Sequence, residues 1–410
     1  FKLVNDAHGY SSGDRLLIDV GERLTKAFDK RASIARVGGD EFVLVLFPVA
    51  SAAQARHEAE LAHAALSAPF KVYGAELLVS ASVGVALSSA SEPTADAETM
   101  LRDADTAMYQ AKASGRDMVT FFDESMRDRI ADRLALESDL RRAIERDEFC
   151  LMYQPIVTLD EDGPIVAGLE ALLRWDRPTR GVVPASFFIE CAEASGLLTE
   201  IGDWVIRESA RQLARWRKVP GAEALFVSVN VSALHLKSHA LTARVRRALA
   251  ETGLRADALC LELSESTLMD NPAEGVGLVI GLKELGVRLA IDDFGNGYAS
   301  LAYLKQFPVD YVKIDRTFVE GLISSDPTDA TLVAAICSMA EALGAVSIAE
   351  GVEHERQEHS LRELGCDLAQ GFLYSRPVDA DDVIPTVRAI SPRHGLRLVT
   401  GDGGAGRPTR

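Results

Sequence analysis

Cysteine is scarce in this 410-residue chain: Cys150, Cys191, Cys260, Cys337 and Cys366 are scattered, and no two form a C-x-x-C pair. An odd, dispersed set does not fit a disulfide framework and points to a reducing, cytoplasmic setting. Long apolar runs are missing too: none approaches the ~18 to 20 residues of a membrane span, and no basic start with a small-residue cleavage site opens the chain. Positive charge is in deficit, with 44 Lys plus Arg against 61 Asp plus Glu and a net charge of −17. That balance argues against a broad electrostatic grip on nucleic acid or anionic lipid, so an anionic ligand needs a local, metal-assisted site. With 15 Pro, 31 Gly and 47% hydrophobic residues, the composition excludes fibrous and mostly disordered classes. The length favours two or three domains. The chain opens on Phe1-Lys2-Leu3-Val4-Asn5-Asp6 without an initiator Met, so a fragment is expected, with sensory or membrane segments upstream.

Residues 1–122 alternate helical patterns with β-rich runs at Ser33–Val37, Glu41–Phe47, Leu77–Ala86 and Met118–Phe122, which predicts a small α/β domain. Over 123–146, Met126, Ile130, Leu134, Leu136, Leu140 and Ile144 recur at helical spacing behind a cap-competent Asp123 or Ser125, which predicts a connecting helix. Eight apolar, β-branched runs follow within 147–390: Cys150–Val157, Ile165–Trp175, Leu225–Ser232, Leu259–Ser264, Arg288–Phe294, Tyr311–Asp315, Val346–Val352 and Leu368–Leu373. Eight runs separated by helical stretches within about 250 residues fit a (β/α)8 barrel with its site at the strand ends. Residues 391–410 are rich in Gly and Arg without apolar periodicity, the pattern of a disordered tail.

Side chains alternate along a strand, so Ser228, Asn230 and Ser232 share one face and Val227, Val229 and Val231 the other. The same alternation sets Glu262 opposite Leu261 and Leu263, sets Lys313 opposite Val312 and Ile314, and keeps Gly168, Glu170 and Arg174 together. Barrel interiors are normally branched and apolar, and inward carboxylates need a compensating charge. A divalent metal cluster supplies one. Adjacent Asp292 and Asp293 serve one site only if the strand breaks there, and Phe294-Gly295-Asn296-Gly297 is expected to make that break. The set is all oxygen, without Cys or His at the strand ends, which favours Mg2+ or Mn2+ over zinc. Two such ions ~3.5 to 4 Å apart activate water and stabilise the leaving oxygen of a phosphodiester. The eight histidines, His8, His57, His63, His235, His239, His354, His359 and His394, show no metal spacing and read as surface or packing residues.

An ordered series of motifs runs through this region: Tyr153-Gln154-Pro155-Ile156, Glu170-Ala171-Leu172-Leu173-Arg174-Trp175, Asn230-Val231-Ser232, Glu262-Leu263-Ser264-Glu265, Asp292-Asp293-Phe294-Gly295, Lys313-Ile314-Asp315, Ala349-Glu350-Gly351-Val352-Glu353 and Gln370-Gly371-Phe372. From about Leu136 to Pro377 the chain resembles the EAL family of cyclic-di-GMP phosphodiesterases. The resemblance implies a TIM-type barrel that hydrolyses cyclic di-GMP to linear pGpG with two Mg2+ or Mn2+ ions. It implies that Glu170, Asn230, Glu262 and Asp292 hold one ion and Asp292 and Asp293 the second, with Glu350 at that ion or its water. By the same resemblance, Lys313 would orient or polarise the attacking water, and Lys313, Glu350, Glu170 and Asp292 would form the catalytic group. The resemblance likewise implies that Gln154 and Arg174 contact the dinucleotide, that Gln370 supports ligand or metal-bound water, and that Glu265 and Glu353 brace the loop after Asp293. Asn296, Ala299 and His354 depart from the Thr, Ser and Thr common in the family, which affects loop coupling or dimer contacts rather than ligands. Glu265, Asp310 and Asp315 fit capping or pairing roles as well as functional ones.

In the first part, Arg36-Val37-Gly38-Gly39-Asp40-Glu41-Phe42 lies between two β-rich runs, and Gly38-Gly39 suits a tight hairpin turn open to phosphates. With Asn5-Asp6, Gly13-Asp14, Ser82-Val83-Gly84 and Ala104–Lys112 followed by Gly115-Arg116, residues 1–122 look like a GGDEF domain, related to the palm of nucleotide cyclases. The resemblance places guanine at Asn5 and Asp14, and phosphates at Lys2, Lys112, Arg116 and the Gly38-Gly39 turn. Asp40 would bind metal, with Glu41 beside it. Lys112 and Arg116 at i, i+4 also suit a solvated helix face, and Met108 and Tyr109 read as core. The family's D-x-D-x-F-K segment is represented by Phe1-Lys2 alone, which counts against synthesis by these residues. Asp29 and Ala32 replace the inhibitory R-x-x-D, and Tyr10 stands where His is common.

The reading is therefore an EAL phosphodiesterase with a GTP-binding, regulatory GGDEF domain, acting as a homodimer without direct nucleic-acid binding. The alternatives are a bifunctional parent that also synthesises cyclic di-GMP, and a non-catalytic receptor for it.

Overall fold

The computed structural model describes residues 1, 4–5, 9–88, 96–115, 117–161, 163–178, 181–236, 240–270, 272–295, 306–323 and 328–391. Lys2, Arg116, Asn296, Ala299 and the Gly/Arg-rich tail beyond residue 391 lie outside them. The chain divides into two units, Phe1–Ala135 and Leu136–Arg410. Among the described residues, no helix is long and apolar enough to cross a membrane.

The first unit contains α1 (Tyr10–Phe28), β1 (Ala32–Gly38), β2 (Glu41–Leu46), α2 (Ala52–Ser67), β3 (Phe70–Val72), β4 (Ala75–Leu77), β5 (Val83–Val85), α3 (Ala97–Ala113) and β6 (Val119–Phe121). Helix α1 buries Leu16, Val20, Leu24 and Phe28, four apolar positions one turn apart, in a core shared with Phe70 and Val72. The predicted Leu77–Ala86 run is two strands, because β4 pairs with β3 in an antiparallel hairpin whereas β5 pairs in parallel with β6. Gly84 lets α3 approach β5 closely: a Cβ there would lie 2.0 Å from Ala104 O and 2.2 Å from Met108 N. Helix α4 (Glu124–Glu145) begins where Asp123 Oδ1 accepts the Ser125 N–H at 2.9 Å.

The second unit contains β7 (Phe149–Thr158), β8 (Val166–Arg177), β9 (Gly181–Pro184), α5 (Ile189–Ala194), α6 (Leu198–Trp216), β10 (Phe226–Asn230), α7 (Ala233–Leu236), α8 (Leu241–Thr252), β11 (Leu259–Ser264), α9 (Glu265–Asp270) and α10 (Pro272–Lys283). It continues through β12 (Arg288–Phe294), β13 (Tyr311–Ile314), α11 (Arg316–Gly321), α12 (Thr328–Leu343), β14 (Val346–Ala349), α13 (Glu355–Glu363), β15 (Leu368–Gln370), β16 (Val378–Asp379) and α14 (Val383–Ile390). Strands β7, β15, β14, β13, β12, β11, β10 and β8 pair in that order, and β7 pairs with β8 to close an eight-stranded barrel.

Seven of those strands are parallel neighbours, as the run-and-helix pattern implies, but β7 is antiparallel to both β8 and β15. The segment between Thr158 and Val166 is too short for a crossover helix, so the chain must turn back as a hairpin. A small apolar plug of Ile156, Ala167, Phe226, Cys260, Ala290, Tyr311, Ile348 and Leu368 fills the lower barrel. Within it, the Phe226 and Tyr311 rings stack with centroids 5.3 Å apart. Gly168 makes room for the Phe226 ring, whose Cε1 would be 2.4 Å from a Cβ at that position. The carboxylates of the barrel interior described below gather above this plug, where the parallel strands end.

Candidate metal centre at the barrel mouth

Lys313 lies at the middle of the upper layer, 1% exposed. Its Nζ is 2.6 Å from Glu350 Oε1, 2.7 Å from Glu262 Oε2, 3.0 Å from Asp292 Oδ1 and 3.8 Å from Glu170 Oε1. Four strands supply those groups: β8 carries Glu170, β11 Glu262, β12 Asp292 and β13 Lys313, while Glu350 immediately follows β14. Register explains the convergence, because Gln154 and Ser228 flank Glu170 from either side and Asn230 stands beside Glu262.

Neutral amides complete the ring. Asn230 Nδ2 donates to Glu170 Oε1 at 2.8 Å, and Gln370 Nε2 donates to Glu170 Oε2 at 2.5 Å and to Gln154 Oε1 at 3.1 Å. Gln154 Nε2 in turn donates to Ser375 O at 3.1 Å. Arg174 is half-buried and donates to Leu173 O at 2.9 Å, and burial holds its guanidinium below the usual value.

The paired aspartates reach one site by a route the sequence did not reveal. The expected break is there, since β12 ends at Phe294 and Gly295 has φ of +106°, but the distortion begins earlier, where the register with β13 slips between Ile291 and Phe294. Asp293 supplies the kink itself, with φ of +54° in the left-handed region, which asparagine and aspartate tolerate better than most residues. That single left-handed residue turns Asp293 to the same side as Asp292, and Asp292, Asp293 and Glu350 each offer an oxygen within 4.8 Å of the others.

The electrostatics are those of a carboxylate surplus. Burial pushes Glu262 well above the ordinary range, and Glu170 and Asp292 add to the rise against the pull of Lys313. Burial likewise raises Glu350 to about 7, and it raises Asp293 with help from Asp292 and Asp315. Burial alone would strip the proton from Lys313, but Glu170, Glu262, Glu350 and Asp292 outweigh it and hold the ammonium well above its usual value.

One ammonium does not neutralise five carboxylates. Glu262 Oε1 and Asp292 Oδ1 are buried without a hydrogen bond, although the second is ion-paired to Lys313. Orphaned oxygens, a tight acidic trio and an all-oxygen donor set together fit divalent, hard metal ions.

The remaining candidates are placed as follows. Glu265 Oε2 accepts the Gly295 N–H at 3.0 Å, directly at the start of the loop after Asp293. Glu353 is exposed, and its backbone N–H donates to Gln357 Oε1 at 2.8 Å. Asp315, left open between capping and function, caps α11 through Thr317 N at 2.7 Å and also approaches Asp293. Ser232, expected on the inner face, lies beyond the end of β10, and its Oγ accepts the His235 N–H at 3.4 Å. Ser228, set on the inner face with Asn230 by strand alternation but given no role, is the register partner of Glu170, and its Oγ is buried without a hydrogen bond.

In the first unit, the two-residue hairpin loop is Gly39-Asp40 rather than Gly38-Gly39, because Gly38 already pairs with Glu41. Gly39 has φ of +50°, and its carbonyl accepts Arg36 Nε and Nη2 at 2.9 and 2.7 Å. Asp40 and Glu41 are exposed, and Lys112 Nζ reaches to 3.9 Å from Glu41 Oε1. Asn5 lays its amide against Gly13, next to exposed Asp14, and its Oδ1 is buried without a hydrogen bond.

Comparison with known proteins agrees with this architecture. The EAL domain family matches residues 137–377, and the family described as diguanylate cyclase, GGDEF domain, matches residues 1–118. The chain belongs to the EAL family and carries a GGDEF region ahead of the barrel. It is 41% identical over 388 residues, 94% of this chain and 56% of the relative, to the bifunctional diguanylate cyclase/cyclic di-GMP phosphodiesterase MucR of Pseudomonas aeruginosa. It is 39% identical over 380 residues, 93% of this chain and 56% of the relative, to the cyclic di-GMP phosphodiesterase PdeR of Escherichia coli. A solved structure described as the PaMucR phosphodiesterase, c-di-GMP complex, is 40% identical with a TM-score of 0.58, covering 61% of this chain and 99% of that one. The chain spans about half the length of the curated relatives it matches.

Proposed function

We propose that the barrel hydrolyses cyclic di-GMP to linear pGpG with Mg2+ or Mn2+, and that the first unit binds GTP as its regulator. The observation that carries this reading is the convergence of Glu170, Glu262, Asp292 and Glu350 on a single buried ammonium at the strand ends, with Asp293 grouped beside Asp292 and Glu350. The similarity to relatives named as cyclic di-GMP phosphodiesterases supports it.

Glu170, Asn230, Glu262 and Asp292 would hold one ion, and Asp292 and Asp293 the second, with Glu350 beside it. Two bound divalent ions supply an acidified water and charge neutralisation for phosphodiester cleavage. Lys313 keeps its proton, so it acts as a hydrogen-bond donor that orients water and not as a base. Gln154 and Arg174 contact the dinucleotide, Gln370 fixes Glu170, Glu265 braces the Asp293 loop through Gly295, and Glu353 braces it from the β14 side.

In the first unit, Asn5 and Asp14 read guanine, Lys2, Lys112 and Arg116 meet phosphates, the Gly38-Gly39 segment leaves them room, and Asp40 takes a metal ion. The chain acts as a homodimer. A second reading, in which the longer protein also makes cyclic di-GMP, is favoured by the GGDEF match and by the bifunctional relative. Chromatographic turnover of cyclic di-GMP with Mg2+ or Mn2+, with and without GTP, tests the first reading. Mass spectrometry of products from GTP alone tests the second.

A further inference from the structure

His235 touches none of the groups around Lys313, yet it is 2% exposed beside the loop that follows the amide ligand Asn230. That loop is short. Strand β10 ends at Asn230, Val231 N–H donates to Glu262 O at 2.9 Å, and α7 begins at Ala233. From α7, His235 Nε2 lies 2.9 Å from Thr199 O and 3.4 Å from Asp203 Oδ1, both on α6, while its Nδ1 lies 3.4 Å from Ser232 Oγ. A carbonyl only accepts, so Nε2 carries a proton and donates to Thr199 O, while Nδ1 stands within reach of the Ser232 hydroxyl. Asp203 also receives Arg244 Nη1 from α8 at 3.1 Å. One imidazole and its carboxylate thus tie α6, α7 and α8 to the turn two residues past Asn230.

The seat of the ring is built by an unusual choice in α6. A Cβ on Gly202 would lie 2.0 Å from His235 Cε1 and 2.7 Å from Nδ1. Glycine is disfavoured inside a helix, and here it admits the ring to Thr199 and Asp203.

Asn230 needs such support more than its neighbours do. A carboxylate ligand is drawn to a cation by its charge, whereas a neutral amide depends on where its backbone is held. We propose that His235 is a positioning residue for Asn230, locking the loop after β10 so that the amide faces the divalent ion. The inference rests on the phosphodiesterase reading for its link to turnover, and on the acidic site alone for its link to metal binding.

The test compares His235→Ala, His235→Gln, Gly202→Ala and, as a packing control, Val245→Ala at a fully buried position on α8. Free Mn2+ is titrated by electron paramagnetic resonance, and melting temperature, kcat and KM are measured alongside. His235→Ala should weaken Mn2+ binding about 10- to 100-fold and lower kcat, the range typical when support for a ligand is removed. Gly202→Ala, which keeps the imidazole but takes its space, should do the same and decides the matter if His235→Ala does not fold. His235→Gln should restore most of the affinity, because its amide nitrogen can reach Thr199 O. Val245→Ala should lower the melting temperature and leave Mn2+ affinity unchanged.

Wild-type Mn2+ affinity in both His235→Ala and Gly202→Ala would overturn the proposal, as would an equal loss in Val245→Ala. Wild-type protein that binds Mn2+ but leaves cyclic di-GMP intact would overturn the phosphodiesterase reading, while the Mn2+ comparison would still judge His235. Failure of the wild type to bind Mn2+ would overturn both.

Discussion

Lys313 Nζ and Glu350 Oε1 stand 2.6 Å apart at the barrel mouth, joining the strand-borne lysine to the carboxylate just past the next strand. The contact makes Lys313 the countercharge of the site before any metal arrives. Removing it as Lys313→Met should therefore destabilise the metal-free protein by about 3–5 kcal/mol, the usual result of leaving buried charge uncompensated. Saturating Mn2+ should recover part of that loss, while kcat falls about 10²–10⁴-fold through the missing donor. Denaturant melts with and without Mn2+ check the first claim; equal metal-free stabilities would contradict it.

Metal binding should depend on pH around neutrality. In the metal-free site burial raises Glu350 to about 7 and raises Glu262 as well, so these groups take up protons more readily than ordinary carboxylates and a cation must compete with those protons. Affinity for Mn2+ should fall as pH drops below about 7, and binding should release protons to buffer. Calorimetry in two buffers of different ionisation enthalpy measures that release. Heats independent of the buffer would show that the carboxylates are already ionised.

Gly351, directly after Glu350, has φ of +71°, and a Cβ on it would lie 2.6 Å from Arg316 Cβ on α11. Gly351→Ala should cost about 1–2 kcal/mol for the left-handed backbone, with a further cost from displaced α11. Because the same residue aims Glu350, Mn2+ affinity should fall with stability. A variant that loses stability and keeps full affinity would show that the Glu350 loop is not held there.

Away from the site, Asp139 on α4 accepts Arg177 Nη2 at 2.6 Å and Arg142 Nη2 at 2.7 Å, and Arg177 also lies 4.6 Å over the Trp175 ring. Burial pushes the Asp139 carboxyl up, but hydrogen bonds from both arginines reverse this and hold it below the usual 3.8. A lowered carboxylate stabilises the fold above its unfolded value and loses that effect as pH falls through the folded one. Asp139→Asn should thus cost at most about 1 kcal/mol at neutral pH, after allowance for partial exposure, and less in acid, as pH falls through the folded carboxyl's range. Urea melts at neutral and acid pH decide it.

Much of the barrel is legible because two-residue alternation survives in any strand: it sets Glu170, Asn230, Glu262 and Lys313 facing inward from the sequence alone. The reversed direction of β7 is not, since strand direction depends on connection length and pairing partners rather than on side-chain period. The Asp293 kink is also hidden, because a left-handed aspartate looks like any other in the sequence, and the nearby glycines draw the expected break downstream. His235 read as packing because its partners, Thr199, Gly202 and Asp203, lie more than thirty positions away on another helix. In the first unit, the Gly-Gly pair located the hairpin to within one residue, and only cross-strand pairing showed which glycine ends the strand.

The most direct test of the central claim is turnover of cyclic di-GMP by the purified chain with Mn2+, resolved by chromatography, beside Asp292→Ala. The account predicts linear pGpG from the wild type and none from the variant, which would lose the carboxylate proposed to serve both ions. Cyclic di-GMP recovered intact from the Mn2+-loaded wild type, or pGpG formed equally by Asp292→Ala, would contradict it.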